Sequence, residues 1–291
     1  MKFGHHQSFY LRVNWLAKAF KMCDEDSRFF YSDLGFERIG LGKNMVKALR
    51  YWVVATTVMQ EVKDNELGPV HALTPFGEIV KANDRFIRLP LTSTALHCLL
   101  ASNREQATTW YWFFNEYGNR SSTNEALLHD LEEWVKHHHH RAVSLTTLKR
   151  DLDCLKLMYT AQARVEDDPE EVVASPLSAL NLLHNTREQF VKRSPGLTEM
   201  DLDGLYFNLL HYCEERNVNS VTLEELLVQP GLWGKLFHLS SNQILEVLDR
   251  LQELPFYPVR FVRTNQLYSL SLETEDAYGF LRRAYTRKAD N

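Results

Sequence analysis

The chain has 291 residues, of which 44% are hydrophobic and 24% charged, and its formal net charge is −5. This composition is typical of a globular protein with a sizeable core and excludes a wholly disordered chain. The acidic balance also excludes a protein that coats nucleic acid indiscriminately, although affinity for DNA depends on local cation clusters. The sequence has no run of about eighteen apolar residues and no apolar signal region near residue 1, so we expect a soluble, cytoplasmic protein.

The charge is unevenly distributed along the chain. Residues 1–60 contain nine Lys or Arg and five Asp or Glu, which leaves +4 there and −9 in the remainder. A positive N-terminal part has the sign that DNA binding requires.

The four cysteines are far apart in the sequence, at Cys23, Cys98, Cys154 and Cys213. None of them forms a CxxC pair, which is the common spacing of structural zinc sites. They predict buried thiols rather than a disulfide framework or a zinc site.

Polar side chains are concentrated in the aromatic N-terminal segment FGHHQSFYLRVNWL. His5, His6, Gln7, Ser8 and Arg12 lie among Phe9, Tyr10, Leu11, Trp15 and Leu16. Two interpretations are open. The segment is either an anchor whose polar groups are satisfied by other protein groups, or a reactive surface with His as acid or base and Arg as an anion clamp.

Residues 40–59 predict an amphipathic helix with a cationic outer face. Met45, Leu49, Trp52, Val53 and Thr56 recur at helical spacing, and the outward positions are taken by Lys43, Asn44, Lys47 and Arg50. This pattern favours the second helix of a helix-turn-helix, with residues 34–42 as the turn. A strand at 59–62, a tip at 64–69 and a strand at 69–73 would form a wing, and Thr74 followed by Pro75 predicts the start of another helix.

Residues 85–104 predict a leucine-rich helix, and residues 108–117 predict a segment buried on all sides. Trp110, Tyr111, Trp112 and Phe113 are therefore expected in the core rather than on a base-stacking surface. Glu116 is one of few carboxylates near so much apolar surface, which makes it a candidate catalytic acid.

A second helix pair is predicted after a polar linker at 119–124. Residues 125–135 are amphipathic, and the helix 144–159 has Ser144 as its cap. Its buried stripe is Leu148, Leu152, Leu155 and Met158 or Tyr159, which leaves Thr146, Thr147, Lys149, Arg150 and Lys156 for solvent or phosphate. Asp151 and Asp153 dilute that face, so an ordinary solvated helix is the alternative.

Residues 137–140 are four consecutive histidines. Neighbouring helical residues cannot all face one ion, because ligands on a helix need a spacing of three or four residues. We expect an exposed helix end or loop.

The acidic segment 165–175 is expected to be an exposed linker and a domain boundary. Helices are predicted at 176–183, 201–215, 223–228 and 241–254, followed by a hairpin of 259–262 and 267–272. The expected fold is mainly α, with two to three winged-helix-like units and short β wings. The units are 1–105, 106–168 and 176–291, the last ending in a helix and a hairpin. Because the last helix is acidic, we expect the third unit to contact protein rather than DNA.

Several catalytic motifs are absent from the sequence. It contains no GxxxxGK[ST], GxGxxG, HExxH or GxSxG. The absence argues against nucleotide hydrolysis, dinucleotide redox chemistry, zincin and α/β-hydrolase activity. A nuclease built from scattered Asp, Glu and His would leave no such signature.

Five stretches together resemble one bacterial family: FGHHQSFYLRVNW, LGKNMVKALRYW, LTPFG, TTWYWFFNE and residues 144–159. This family is a domain of unknown function encoded beside sulfur-transfer (PAPS-reductase-like) genes in DNA phosphorothioation loci. His6, Gln7, Ser8, Phe9, Leu11 and Arg12 match its opening motif. His5 stands where the family normally has glycine.

The resemblance implies a role in bacterial DNA modification and phage defence, in which sulfur replaces a non-bridging phosphate oxygen. In single-strand systems the SspB-like component is expected to nick DNA. The implied partners are double-stranded DNA, a cysteine desulfurase and an ATP-pyrophosphatase-like protein that supply the sulfur.

We therefore predict a DNA-binding protein that nicks one strand with Mg²⁺ or Mn²⁺, whose ligands the sequence does not identify. The predicted catalytic residues are His6, Arg12 and Glu116. The predicted DNA-binding residues are Lys43, Asn44, Lys47 and Arg50, which would contact phosphate and enter the major groove, and Thr146, Thr147, Lys149 and Arg150 on a second segment. The alternatives are a non-catalytic adaptor that docks the sulfur-transfer partners through the acidic C-terminal half, or a transcriptional regulator of the locus, which would bind a palindrome as a dimer.

Overall fold

The computed structural model describes residues 1–32, 35–160, 174–186, 188–196, 199–263, 268–273 and 276–290. The helices are α1 Val13–Glu25, α2 Gly35–Ile39, α3 Lys43–Ala55, α4 Pro75–Asn83, α5 Pro90–Ser102, α6 Thr108–Tyr111, α7 Asn124–His138, α8 Leu145–Tyr159, α9 Leu202–Arg216, α10 Leu223–Val228, α11 Trp233–Leu236, α12 Ser241–Glu253 and α13 Ala277–Ala289. A π-helical turn, Trp112–Glu116, continues α6, and single 3-10 turns lie at Phe29–Tyr31 and Ser178–Leu180. The strands are β1 Met59–Asp64, β2 Gly68–Leu73, β3 Ser121–Thr123, β4 Leu183–Asn185, β5 Gln189–Lys192, β6 Ser220–Thr222, β7 Val259–Arg263 and β8 Tyr268–Leu272.

Three small antiparallel sheets accompany the helices, in the strand orders β1-β2, β3-β5-β4 and β6-β8-β7. In the last two, a short strand precedes helices and a hairpin follows, which is the order of a winged helix. The prediction of a mainly α fold with short β elements is confirmed, and the winged-helix-like units stay a prediction. Because β3 pairs with β5, the second sheet joins segments that the predicted boundaries assign to different units. The boundaries themselves stay predictions.

Capping residues begin most helices where the sequence predicts them. The Thr74 hydroxyl accepts from the Gly77 amide at 3.0 Å, and Ser144 caps α8 in the same way. Capping boxes begin α10 and α12. The wing of the first unit is also confirmed, since β1 pairs with β2 from Met59 opposite Leu73 to Asp64 opposite Gly68.

Short elements were predicted less well. The expected turn before α3 contains α2, and the predicted polar linker at 119–124 contains β3. The helix predicted at 176–183 is wrong, because a single 3-10 turn there leads into β4. Most of the predicted linker at 165–175 lies outside the described residues. Where the description resumes, the Val13 amide donates to the Ala174 carbonyl and Ser175 is buried.

The aromatic segment that was expected in the core is largely buried. Trp110, Trp112 and Phe113 are each at most 3% exposed, as predicted, whereas Tyr111 is only half-buried. Asn115 in the π-helical turn bonds to two segments. Its side-chain amide donates to the Ala101 carbonyl of α5, and it accepts from the Gly231 amide, which ties the turn to the C-terminal unit. The Lys192 ammonium donates to the carbonyls of Phe113 and Tyr117, both at 2.6 Å, and so fixes β5 to the same turn.

The four thiols carry no disulfide, and Cys98, Cys154 and Cys213 are buried, as the spacing predicts. The histidine run ends α7 with His138, and three of its four side chains are exposed. No described helix has the length and apolarity needed to cross a bilayer.

Three histidines are buried away from the N-terminal motif: His71, His97 and His238. His97 connects three helices, because its ring atoms lie 2.8 Å from the Tyr159 hydroxyl and 2.9 Å from the Leu236 carbonyl. Burial lowers the pKa of His97 to about 4, and the same cause lowers the pKa of His71 to about 4 and that of His238 well below its usual value.

We predict that the free energy of unfolding falls as the pH is lowered from 6.5 towards 4. In this window the unfolded chain binds a proton at each of these histidines, whereas the folded chain does not. Above pH 6.5 the histidines are neutral in both states, so their contribution to the free energy of unfolding is fully present. Each histidine contributes about 1.4 kcal/mol per pH unit. His97→Gln should reduce the slope by about that amount in urea titrations at several pH values. His129→Gln, an exposed control, should keep the wild-type slope, and an unchanged slope in His97→Gln would contradict the prediction.

Candidate nucleic-acid interface

The N-terminal segment is anchored by one buried carboxylate, that of Asp151 on α8. Asp151 Oδ1 accepts from the Gly4 amide and from His6 Nε2, both at 2.8 Å. Asp151 Oδ2 accepts from the Thr109 hydroxyl at 2.7 Å. His6 and Asp151 are each 1% exposed. Three donors therefore satisfy a charge that would otherwise be costly to bury.

Close backbone approach makes this anchor possible. Gly4 has φ +69°, and a Cβ there would lie 2.7 Å from Thr147 Cγ2. The neighbouring Gln7 and Ser8 also have positive φ, +52° and +67°. Such conformations cost about 1–3 kcal/mol each in non-glycine residues and persist only where the surroundings fix them. Although His5 replaces the family's glycine, Gly4 provides a close approach beside it.

Helix α3 packs directly on the anchored segment. Trp52 Nε1 donates to the Phe9 carbonyl at 2.8 Å, and the His6 ring stacks on Trp52 with centroids 5.9 Å apart. The Trp110 ring meets His6 edge-on at 5.8 Å. His6 thus lies between two indoles and a carboxylate, while His5, Gln7 and Ser8 are exposed. We call residues 4–8 the N-terminal loop.

A groove of about 790 Å³ lies where α3, β1 and the N-terminal segment meet. Its lining includes Lys47, Arg50 and Tyr51 of α3 and Gln60 and Glu61 of β1. The N-terminal segment contributes Lys2, His5 and Gln7, and Gln106 completes the polar lining. The groove thus contains three side chains that are cationic at neutral pH, three amides and, among its described lining residues, the single carboxylate of Glu61.

Glu61 is bound by two neighbours. It accepts from the Arg50 guanidinium and, at 2.7 Å, from the Tyr31 hydroxyl. The Arg50 guanidinium also lies 4.2 Å from the centroid of the Tyr31 ring. The hydrogen bond from Arg50 is the largest cause that lowers the pKa of Glu61. Arg50 is therefore already paired, whereas Lys47 is exposed.

His5 is the histidine that faces the groove. Partial burial, reinforced by the Lys2 ammonium, lowers the pKa of His5. Its imidazole is accordingly neutral at pH 7 and able to accept a proton.

The described residues offer few metal ligands. His129, Glu132 and Glu133 have ligand atoms within 4.8 Å of one another. However, Lys136 Nζ lies 3.1 Å from Glu132 and 2.8 Å from Glu133. Magnesium prefers oxygen ligands, and this group includes an imidazole and two carboxylates that are already paired. This cluster of three ligand side chains therefore does not fit Mg²⁺.

With this geometry in place, the comparisons with known proteins identify the family. A family model described as a protein of unknown function (DUF4007) matches residues 3–285. The chain belongs to the DUF4007 family. No curated protein matches the sequence.

Two solved structures have the same fold as this DUF4007 member. One, described as the SspB crystal structure, shares 21% sequence identity with a TM-score of 0.86. The other, described as magnesium ion-bound SspB, shares 20% identity with a TM-score of 0.87. Each match covers 100% of this chain and 89% of that chain.

No hydrogen bond, ion pair or ring contact among the described residues joins the predicted catalytic residues His6, Arg12 and Glu116 of this DUF4007 protein, and their role stays a prediction. His6 is buried, and none of the three lines the groove. The Arg12 guanidinium lies 5.5 Å from the Trp15 ring centroid. Glu116 is exposed and accepts from Trp134 Nε1. His6 is consequently a positioning residue for the N-terminal loop.

The predicted DNA-binding residues separate into two sets. On α3, Lys43, Asn44 and Lys47 are exposed, and Arg50 is half-buried. On α8, Thr146 and Arg150 are exposed, Lys149 pairs with Asp153 at 2.7 Å, and Thr147 packs against Gly4.

Lys156 was predicted on the solvent face of α8, and this is wrong. It is 6% exposed and donates to the Asn124 side chain at 2.5 Å. Asp151 was also assigned to the polar face, although it lies three residues after Leu148 and four before Leu155. That position on the apolar stripe was the signal for its burial.

We predict that Asp151→Ala destabilises the fold by at least about 3 kcal/mol, because each buried donor left unpaired costs about 1–3 kcal/mol. Asp153→Ala is the matched control on the same helix. Its exposed ion pair should change the free energy of unfolding by less than about 1 kcal/mol. Chemical denaturation of the two variants tests this difference, and equal effects would show that the carboxylate of Asp151 is not the anchor.

Proposed function

We propose that this protein is the DNA-binding component of a bacterial DNA phosphorothioation and anti-phage system, and that it nicks one DNA strand. The observation that carries the proposal is the groove, which brings Lys2, Lys47 and Arg50 together beside the anchored N-terminal loop. The fold shared with SspB and the family resemblance support the assignment to phosphorothioation. The implied sulfur donors are a cysteine desulfurase and an ATP-pyrophosphatase-like protein.

Different groove residues bind the phosphate and take part in the reaction. The exposed ammonium of Lys47 binds phosphate as a point charge, and Arg50 adds a planar donor pair once phosphate competes with Glu61. Neutral His5 accepts a proton from a water that attacks the phosphorus of a phosphodiester in the groove. The P–O bond to one sugar breaks, and the departing sugar oxygen takes a proton from solvent. Thr146, Lys149 and Arg150 hold a second backbone segment.

Metal ions enter this proposal as a condition to be tested. We expect nicking to require Mg²⁺ or Mn²⁺, in line with the magnesium-bound relative. The cluster of His129, Glu132 and Glu133 does not fit the ion, so the roles above are assigned to protein groups alone.

A second candidate is a non-catalytic adaptor that recognises DNA and docks the sulfur-transfer proteins. The specific observation in its favour is that Glu61 is the single carboxylate among the described lining residues and is held by Arg50 and Tyr31. Hydrolytic nucleases that use magnesium commonly supply one or two carboxylates to the ion. The acidic face of α12, which includes Glu246, Asp249 and Glu253, would then contact the partners.

Incubation with supercoiled plasmid separates the two candidates. A nickase converts the plasmid to open circles with Mg²⁺ or Mn²⁺. His5→Ala should slow the conversion at least about 100-fold, as loss of a general base does. Glu116→Gln is the control outside the groove and should keep full activity. Binding without nicking would support the adaptor. Loss of nicking in Glu116→Gln but not in His5→Ala would show that Glu116, rather than His5, belongs to the catalytic site.

DNA affinity should depend on the exposed cation of α3. We predict that Lys47→Ala weakens DNA binding and reduces the slope of log K against log salt by about 1, because one phosphate contact is lost. Lys136→Ala removes an exposed charge outside the groove and should leave the slope unchanged. Fluorescence anisotropy over a salt series measures both, and equal slopes in all three proteins would contradict a phosphate contact at Lys47.

A further inference from the structure

Part of the cationic face of α3 lines a groove, whereas Lys43 and Asn44 face solvent. Lys47 and Arg50 line this groove together with Tyr51 and with His5 and Gln7 of the N-terminal loop. The loop cannot withdraw easily, because the buried bonds of His6 and Gly4 to Asp151 hold it, and Trp52 Nε1 holds Phe9.

This geometry differs from that of a helix that reads duplex DNA. A recognition helix enters a major groove about 12 Å wide and about 8.5 Å deep, and it must protrude to do so. Here Lys47 and Arg50 share their groove with His5 and Gln7 of the N-terminal loop. The groove volume, about 790 Å³, falls within the range of about 300–1,000 Å³ found for pockets that bind small molecules. It suits one or two nucleotides rather than a base-paired helix.

The lining combines the two chemistries that a nucleotide presents. Lys2, Lys47 and Arg50 offer cations to phosphate, whereas Gln7, Gln60 and Gln106 offer amides, each with a donor and an acceptor. Amides match the hydrogen-bonding edge of a base that is no longer paired. Gln106 Oε1 is buried and has no hydrogen-bond partner, so the groove retains unused acceptor capacity.

We propose that the groove binds an unpaired nucleotide of the DNA, either turned out of the duplex or already single-stranded. The amides contact the base, and the cations hold the flanking phosphates. The inference rests on the proposed DNA-binding function and deepens it, since it replaces the expected entry of α3 into the major groove. A strand held in this way would present its phosphodiester to His5.

The test uses the full chain and three fluorescent DNAs of the same sequence: a paired duplex, the duplex with a two-nucleotide bulge, and the single strand. Each carries 2-aminopurine, whose fluorescence rises when the base leaves the stack, at the central position. The bulged DNA should bind about tenfold or more tightly than the paired duplex, because the cost of unpairing is already met. Gln60→Leu, an exposed substitution on β1, should abolish this preference and retain salt-dependent binding.

The outcomes separate the inference from the function on which it rests. If the three DNAs bind equally, fluorescence does not rise, and Lys47→Ala still weakens binding, the unpaired-nucleotide site is rejected and DNA binding is retained. The inference is likewise rejected if the preference persists undiminished in Gln60→Leu together with Gln106→Leu. If the folded wild-type protein binds none of the DNAs, both the proposed function and the inference fail.

Discussion

The groove depends on the hydrogen bonds of Asp151. This carboxylate accepts from Gly4 and His6 of the N-terminal segment and from Thr109 of α6, which lies more than a hundred residues away in the sequence. Because an ionised carboxylate can be buried only with its donors in place, the three segments are fixed together. The N-terminal segment that lines the groove is thus positioned by α6 and α8, which are built into the hydrophobic core, and by the indole of Trp52.

The long amphipathic elements could be predicted from sequence because the signals that specify them lie within each segment. Helical periodicity defines α3, α8 and α12 to within a few residues, and serine caps mark the starts of α8 and α12. A polar tip between two extended segments marks β1 and β2. The short elements α2, β3 and β4 span too few residues to show a period, and β3 and β4 exist because β5 pairs with both. These elements are stabilised by contacts with segments distant in the chain, and a single sequence does not show those contacts.

The candidate site was only partly predictable for a related reason. The polar N-terminal segment and the cations of α3 were found, but the role of each side chain depended on a partner distant in the sequence. His6 looks reactive until Asp151 is placed beside it, after which it is an anchor and His5 is the exposed imidazole. Asp151 and Lys156 both lie on the apolar stripe of α8, which indicates burial, yet charged residues are buried only when partnered. Without Gly4, His6 and Asn124 in view, a solvent-facing position was the natural assignment for both.

The pairing of Arg50 with Glu61 limits what the groove can bind well. A groove lined only by cations would attract any polyanion, whereas here one carboxylate opposes phosphate and holds an arginine in place. A ligand that enters must compensate Glu61 as well as use Lys47, so it needs hydrogen-bond donors close to its anionic groups. A bare phosphate or sulfate lacks such donors. In duplex DNA the donors on the pairing edges of the bases are engaged in base pairs. An unpaired nucleotide offers a phosphate and free base donors together. The arrangement of charges in the groove therefore favours unpaired nucleotides over indiscriminate binding of DNA.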